Sequence, residues 1–327
     1  MQKKTVIKRA SHAQEEGQMG SARSSSYDPP LDAERRNVRC RHNTTFVDSG
    51  AFPDIKRQCF FYTDTLAQQS VATQVDLSKA LYTQGIASHM PIGEAHMLDA
   101  HTWSLSWTRP QGVVAKLVDT ASWYDLGAVT ARLHSFLDEY AFLPSDLPYY
   151  NRDYYQDRCA HLSALPGDLR SKIEQCVQIA CETLFDPFSL DDDVGAVYGG
   201  IQPRQVRSTN VALTLSELFE LGFGHRTLDI VSLLADAPST NCIKALLHGY
   251  NSTRPLHTSL RSLLSQLFLQ QVDQAIDLLR RAETSEDGTH ALRTIAAGWC
   301  TQLLRGKLFA LRGLDDTFLS QYGMPGF

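Results

Sequence analysis

The stretch VYGGIQPRQVRSTNVALTLSELFELGFGHRTLDIVSLL, residues 197–234, decides the fold. It reads as a strand, a tight loop, a strand, a hairpin, and a Gly-rich loop running into an apolar helix. Gly199 and Gly200 permit close backbone approach or positive φ, and Pro203 stiffens the loop after them. Gly222 and Gly224 punctuate the exit from VALTLSELFEL, and Asp229 stands at the start of the helix. Strand-end loops backed by helices are a usual place for a site.

Upstream of this stretch the chain divides into three parts. Residues 1–28 are poor in apolar side chains and end in the linker-like GSARSSSYDPP, so a disordered tail is expected. Residues 29–120 read as a sheet-plus-helix lobe. NTTFVDSG and KRQCFFYTD are short strands, and Leu66 to about Gln84 is a helix stopped at Gly85. HTWSLSW and VVAKLVDT then read as a hairpin around TRPQG, with Trp103, Leu105 and Trp107 alternating at period two. A hinge is placed near 117–122. Residues 121–327 form a larger helical lobe, whose first helix Asp125 is positioned to cap. Further helices are read over 168–184, 226–236, 239–249, 255–281 and 286–311.

Composition narrows the function classes without choosing among them. The chain has 327 residues, with 31 Lys and Arg against 36 Asp and Glu, a formal net charge of -5. That balance argues against a dedicated nucleic-acid binder. No run of about 18 apolar residues suggests a membrane-spanning helix. The basic start MQKKTVIKRASHAQEEGQ lacks the apolar core of a signal peptide. Seven cysteines without a CxxC pair read as reduced, mostly buried thiols of a cytoplasmic protein. The eleven histidines show no metal-binding spacing, and no GxSxG elbow occurs.

The motif spacing in 198–229 resembles that of the aminoglycoside/choline/homoserine phosphotransferase superfamily, small-molecule kinases with a protein-kinase-like fold. That family shows H-G-D-x-x-P-x-N, a strand pair, then I-D-F-D-D-x-G-x-G-x-x-x-x-D. This chain has Y-G-G-I-Q-P-R-Q at 198–205 and S-E-L-F-E-L-G-F-G-H-R-T-L-D at 216–229. Gly199, Pro203, Gly222, Gly224 and Asp229 match, and Ala131, Leu133 and His134 resemble the family's A-R-L-H element. The resemblance covers roughly residues 43–305. It implies an α/β (α+β) architecture, with a small antiparallel sheet lobe joined to a larger helical lobe.

The departures carry as much meaning as the matches. The family's catalytic Asp aligns with Gly200, which cannot accept a proton, and losing a general base costs about 10²–10⁴ in rate. The motif His aligns with Tyr198, and the metal-holding Asn and Asp align with Gln205 and Glu217. These longer arms matter because Mg²⁺ demands near-ideal octahedral geometry. The phosphate-holding cation is expected near Phe60–Phe61, and Lys56 and Arg57 are off that register. Asp76 is the candidate carboxylate partner, and Leu117 and Asp119 belong to the segment where adenine binds in the family. The resemblance thus implies a nucleotide cleft at Leu117, Asp119 and Asp76, and a metal at Glu217 and Gln205. It leaves the catalytic loop Tyr198, Gly199, Gly200 and Gln205 vestigial.

Each sharp reading has a plainer one beside it. Glu217 and Glu220 also fit an exposed hairpin face alternating with Leu218 and Leu221. Tyr198 fits a core aromatic as well as an acid or base, and Asp191–Asp193 look like a cation site but fit a solvated turn better. YYNRDYY, 149–155, would lie over the site in the family fold, or simply cap the helical lobe. His134, His161 and His225 read as structural. The expected function is that of a pseudokinase, whose inter-lobe cleft takes a small molecule, a peptide or a partner enzyme. The alternative is an active ATP- and Mg-dependent phosphotransferase of a small-molecule or peptide hydroxyl. Neither reading involves nucleic acid or membrane.

Overall fold

The computed structural model describes residues 45–48, 55–61, 66–97, 102–140, 149–185, 193–216, 221–284 and 289–306. The expected tail 1–28 lies outside them. Strands β1 (Thr45–Asp48), β2 (Ile55–Phe61), β3 (Pro91–Met97) and β4 (Thr102–Thr108) form an antiparallel sheet of order β1-β2-β4-β3. Helix α1 (Leu66–Thr83) lies between β2 and β3 in sequence and packs against β3. Leu77 and Leu81, four residues apart and so on one helix face, are fully buried. Leu105 and Trp107 of β4 are buried too, as their period-two alternation predicts.

The expected hairpin over 102–119 does not form. The chain leaves the four-stranded sheet at Thr108, and β5 (Val113–Val114) pairs with β7 (Val206–Ser208) instead. The partners of β4 are β2 and β3, and β3 is a strand that sequence reading passes over because Pro91, Gly93 and a register shift between Ile92 and His96 interrupt its pattern. The crossing between the sheets is therefore 109–112, upstream of the expected hinge.

Helix α2 (Thr120–Glu139) starts earlier than expected. Its cap is Asp119, whose carboxylate accepts the Ser122 N–H at 2.7 Å, and Asp125 lies inside the helix. These same bonds hold the Asp119 carboxyl below the usual carboxylate value. Beyond α2 come α3 (Arg152–Cys159), α4 (Gly167–Leu184), β6 (Val194–Val197), β7, β8 (Leu213–Leu215), β9 (Gly222–His225), α5 (Thr227–Asp236), α6 (Thr240–Thr253), α7 (Leu260–Thr284) and α8 (Thr289–Leu304). The helices fill two apolar clusters. One gathers Leu126, Leu133, Ile230, Leu246 and Leu215, and the other Ile173, Val177, Ile276, Leu279 and Cys300.

Close approach of α2 and α6 rests on two reciprocal glycines. A Cβ on Gly127 would fall 2.0 Å from the Leu246 carbonyl oxygen, and one on Gly249 would fall 1.9 Å from that of Tyr124. Both obstacles are backbone, so no rotamer change relieves them. Gly127→Ala should therefore force the helices apart and destabilise the protein by about 1–3 kcal/mol, as overpacking does. The fall in the urea unfolding midpoint measures it, and an unshifted midpoint would disprove the close-packing account.

Candidate functional site

The centre of the site is the loop between β6 and β7, held from below by one carboxylate. Asp229, in the first turn of α5, is completely buried. Its Oδ2 accepts the Tyr198 N–H at 2.7 Å and its Oδ1 accepts the Gly200 N–H at 2.7 Å. Oδ2 also meets His134 Nε2 at 2.9 Å, and His134 Nδ1 meets the Tyr250 hydroxyl at 2.8 Å. An ionised carboxylate only accepts, so Nε2 carries the proton toward Asp229. Burial raises the Tyr250 pKa, which keeps its O–H available to donate to Nδ1. The chain Tyr250–His134–Asp229 thus joins α6, α2 and α5 and delivers two acceptors to the loop. His134 is structural, as expected.

Tyr198 is fully buried, and its hydroxyl donates to the Ser216 carbonyl at 3.1 Å. It ties the loop to the end of β8 and has no opening to a reactant. Ser216 returns the tie: its Oγ donates to the Gln205 carbonyl at 3.0 Å. Gln205 closes a single 3₁₀ turn, Pro203–Gln205, and its side-chain Oε1 accepts the Gln202 N–H at 2.8 Å. Gln205 is 6% exposed, and the amide oxygen that a metal would need is turned into the loop's own backbone. Glu217 and Glu220 lie outside the described residues.

Gly199 and Gly200 have φ of +92° and +115°. Both values lie where L side chains are strained. A Cβ on Gly200 would have room, with nothing nearer than Gln270 Nε2 and Ser232 Cβ at 3.7 Å. Backbone conformation, not space, reserves this position for glycine.

A second anchor holds the outer end of β6. Arg226 Nη1 donates to Asp193 Oδ1 at 2.7 Å and to the Val194 carbonyl at 2.9 Å, and Nη2 pairs with Asp138 of α2. Arg254, after α6, pairs with Asp138 and with Asp193 at 3.0 Å. Asp193 is 5% exposed, so it belongs to a buried ion-pair network and not to a solvated turn; Asp191 and Asp192 lie outside the described residues. A Cβ on Gly195 would collide with Arg226 Nη2 at 1.9 Å, so the glycine is what lets the guanidinium lie over the strand. The Gly-rich segment expected as a loop is strand β9, paired along β6 with Gly195 opposite Gly224. Tyr150 of the YYNRDYY run lies against Gly224 and donates its N–H to the Phe223 carbonyl at 2.7 Å. Tyr149 stacks on Phe223.

The nucleotide candidates lie on α1 and just before α2. The Leu117 carbonyl accepts the Trp123 indole N–H at 3.0 Å, and Asp119 caps α2. Asp76 is exposed on α1, where its charge helps raise the pKa of Tyr140. Tyr140 is the C-cap of α2, so 20 helical residues, about 30 Å, separate it from Asp119. On the sheet, β2 pairing places Lys56 opposite Trp107 and Arg57 opposite Ser106. Among the described residues no three His, Cys, Asp or Glu side chains gather to hold a metal. The five described cysteines, Cys159, Cys176, Cys181, Cys242 and Cys300, are free thiols.

A cavity of about 550 Å³ opens beside the loop. Gln202, Pro203 and Arg204 form one wall, Ser232 and Asp236 of α5 a second, and Gln270 and Gln274 of α7 a third. Sequence reading did not find it. Its walls are separated by up to 72 residues in the chain, and polar positions on α5 and α7 look like solvent faces.

No protein-family model matches the sequence, and no curated protein matches it. Solved structures do. A microcompartment-associated aminopropanol kinase superimposes with a TM-score of 0.58 at 15% identity, over 83% of this chain and 95% of its own. The amicoumacin kinase hAmiN, in complex with AMP-PNP, Ca2+ and Ami, gives 0.56 at 14% identity over 85% and 91%. Choline kinase LicA from Streptococcus pneumoniae gives 0.53 at 10% identity over 79% and 88%. The chain has the fold of these phosphotransferases. The two-lobed, kinase-like architecture implied by the spacing of 198–229 is thereby the observed one. Within this phosphotransferase fold, no helix of the described residues is long and apolar enough to cross a membrane.

The anchoring role of Asp229 is directly testable. Asp229→Ala strands two loop N–H groups and the His134 ring in a fully buried space. Breaking a buried charged network in this way costs about 3–5 kcal/mol. Asp229→Asn keeps the volume but loses an acceptor, and should cost about 1–3 kcal/mol. An Asp229→Ala midpoint equal to wild type in urea unfolding would disprove the anchor.

Proposed function

We infer that this protein keeps the phosphotransferase fold as a binding scaffold and has lost phosphoryl transfer. The observation that carries the reading is Gly200 with its φ of +115°. At the position of the family's general base there is no carboxylate, and the backbone has taken a conformation that disfavours one. Phosphoryl transfer depends on positioning and on neutralising phosphate charge. The residues proposed for a vestigial metal site are Glu217 and Gln205. Those for a vestigial nucleotide cleft are Leu117, Asp119 and Asp76.

The loop itself is intact. Its two backbone donors are seated on Asp229, its 3₁₀ turn is closed by Gln205, and its outer face lines the cavity with Gln202, Pro203 and Arg204. An open cavity of this size, with polar and apolar lining, has room for a small molecule or a short peptide segment. The proposed division is a sheet-plus-helix lobe over 29–120 and a helical lobe over 121–327, the latter carrying the binding loop.

The full-length protein should not consume ATP with Mg²⁺ above a no-enzyme control, in coupled or direct ADP assays, across hydroxyl-bearing small molecules and peptides. Turnover that Glu217→Ala abolishes would overturn this reading in favour of an active phosphotransferase. Gly200→Asp should not create turnover, because the φ it inherits costs about 1–3 kcal/mol. A gain of Mg²⁺-dependent turnover in Gly200→Asp would show the loop to be in a productive shape after all.

A further inference from the structure

The cavity beside the loop has two opposite charges that do not neutralise each other. Arg204 lies on the loop wall and is exposed, with no ion-pair partner among the described residues. Asp236 ends α5 on the facing wall, also without an ion-pair partner there, and partial desolvation raises its pKa from the usual carboxylate value. Had the two been within 4 Å they would form a salt bridge, and none exists between them. An unpaired guanidinium and an unpaired carboxylate across one cavity are complementary to a ligand that carries both charges.

The remaining lining is built of amides. Gln270 and Gln274 are four residues apart on α7, and Ser232 and Asp236 four apart on α5, so each helix turns one polar stripe to the cavity. Gln270 is 8% exposed, yet its Oε1 has no hydrogen-bond partner among the described residues. A buried acceptor left unmade carries a desolvation cost, and a turn of the carboxamide toward the cavity would let a ligand N–H relieve it. The neighbouring Gly200 contributes no side chain, so the Gln270 amide is bare on that side as well. Carboxamides donate and accept in one plane, as peptide groups do.

From this juxtaposition we propose that the cavity binds a short peptide with free termini. Arg204 takes its carboxylate, Asp236 its ammonium, and the Gln270 carboxamide its backbone amide. The inference rests on the reading that the loop cavity is a ligand site, and it names the ligand's chemistry. It does not depend on whether phosphoryl transfer is lost. ATP turnover would overturn that loss and leave this inference to be decided by binding alone.

The test is calorimetric titration of the full-length protein with the twenty glycyl dipeptides, each up to about 1 mM. At least one free dipeptide should bind. N-acetylation or C-amidation of that peptide should each weaken it at least about tenfold. Arg204→Gln should weaken the free peptide about tenfold and leave the C-amidated form unchanged. Asp236→Asn should do the same with respect to the N-acetylated form. Free glutamine and free asparagine carry the same groups on a single residue and form the second arm. If they bind and no dipeptide does, the ligand is an amino acid and the peptide assignment falls. Absence of binding by every dipeptide, or affinity indifferent to both terminal blocks and both variants, overturns the proposal.

Discussion

Everything at the centre of this molecule depends on one buried carboxylate. Asp229 is completely removed from water, and a charge in such a place costs several kcal/mol unless its lone pairs are filled. They are filled by the Tyr198 and Gly200 N–H groups and by His134, at 2.7, 2.7 and 2.9 Å. Its place in the first turn of α5 adds the favourable end of the helix dipole. The geometry leaves little freedom. α2 must bring His134, α6 must bring Tyr250, and the β6–β7 loop must turn its backbone donors downward. The reciprocal glycines Gly127 and Gly249 belong to the same constraint, because they set how close α2 and α6 come and so where His134 and Tyr250 meet.

The contacts that shape the loop are complete: Tyr198 to Ser216, Ser216 to Gln205, Gln205 to Gln202. Around it, side chains are missing or engaged within the fold. Gly200 has no side chain, Gln205 has spent its amide oxygen on the loop, and Asp119 has spent its carboxylate on a helix cap.

Much of the helical architecture is legible in the chain, because an apolar stripe at period 3.6 is a local signal. Helices α5 to α8 fall close to their expected spans, and the Gly199–Pro203–Gly222–Gly224–Asp229 spacing points to the right fold. What is not legible is decided by partners far away in sequence. Asp193 reads as a solvated turn because Arg226 and Arg254, 33 and 61 residues downstream, are invisible from its own neighbourhood. Val113 and Val114 look like half of a hairpin, since nothing local says that β7 is a better partner than β4. Asp125 and Asp119 are both good caps by composition, and only the Ser122 bonds choose between them. The glycines of β9 suggest a loop until Tyr150 is seen to need the space above Gly224. The glycine at position 200 of the motif is legible from spacing. Its positive φ is not, because glycine is silent about which conformation it adopts.

The network under the loop is an expensive way to gain stability. Buried charges are commonly matched or bettered by apolar side chains of similar volume, because desolvation consumes most of the Coulombic gain. What such a network supplies beyond packing is direction: it accepts from the Tyr198 and Gly200 N–H groups at two defined points, so the loop has one shape. That shape leaves position 200 without a side chain. It does place Gln202, Pro203 and Arg204 against α5 and α7 as one wall of a cavity. The effect of the anchor is therefore seen on the outer face of the loop, where Arg204 lines the same cavity as Asp236.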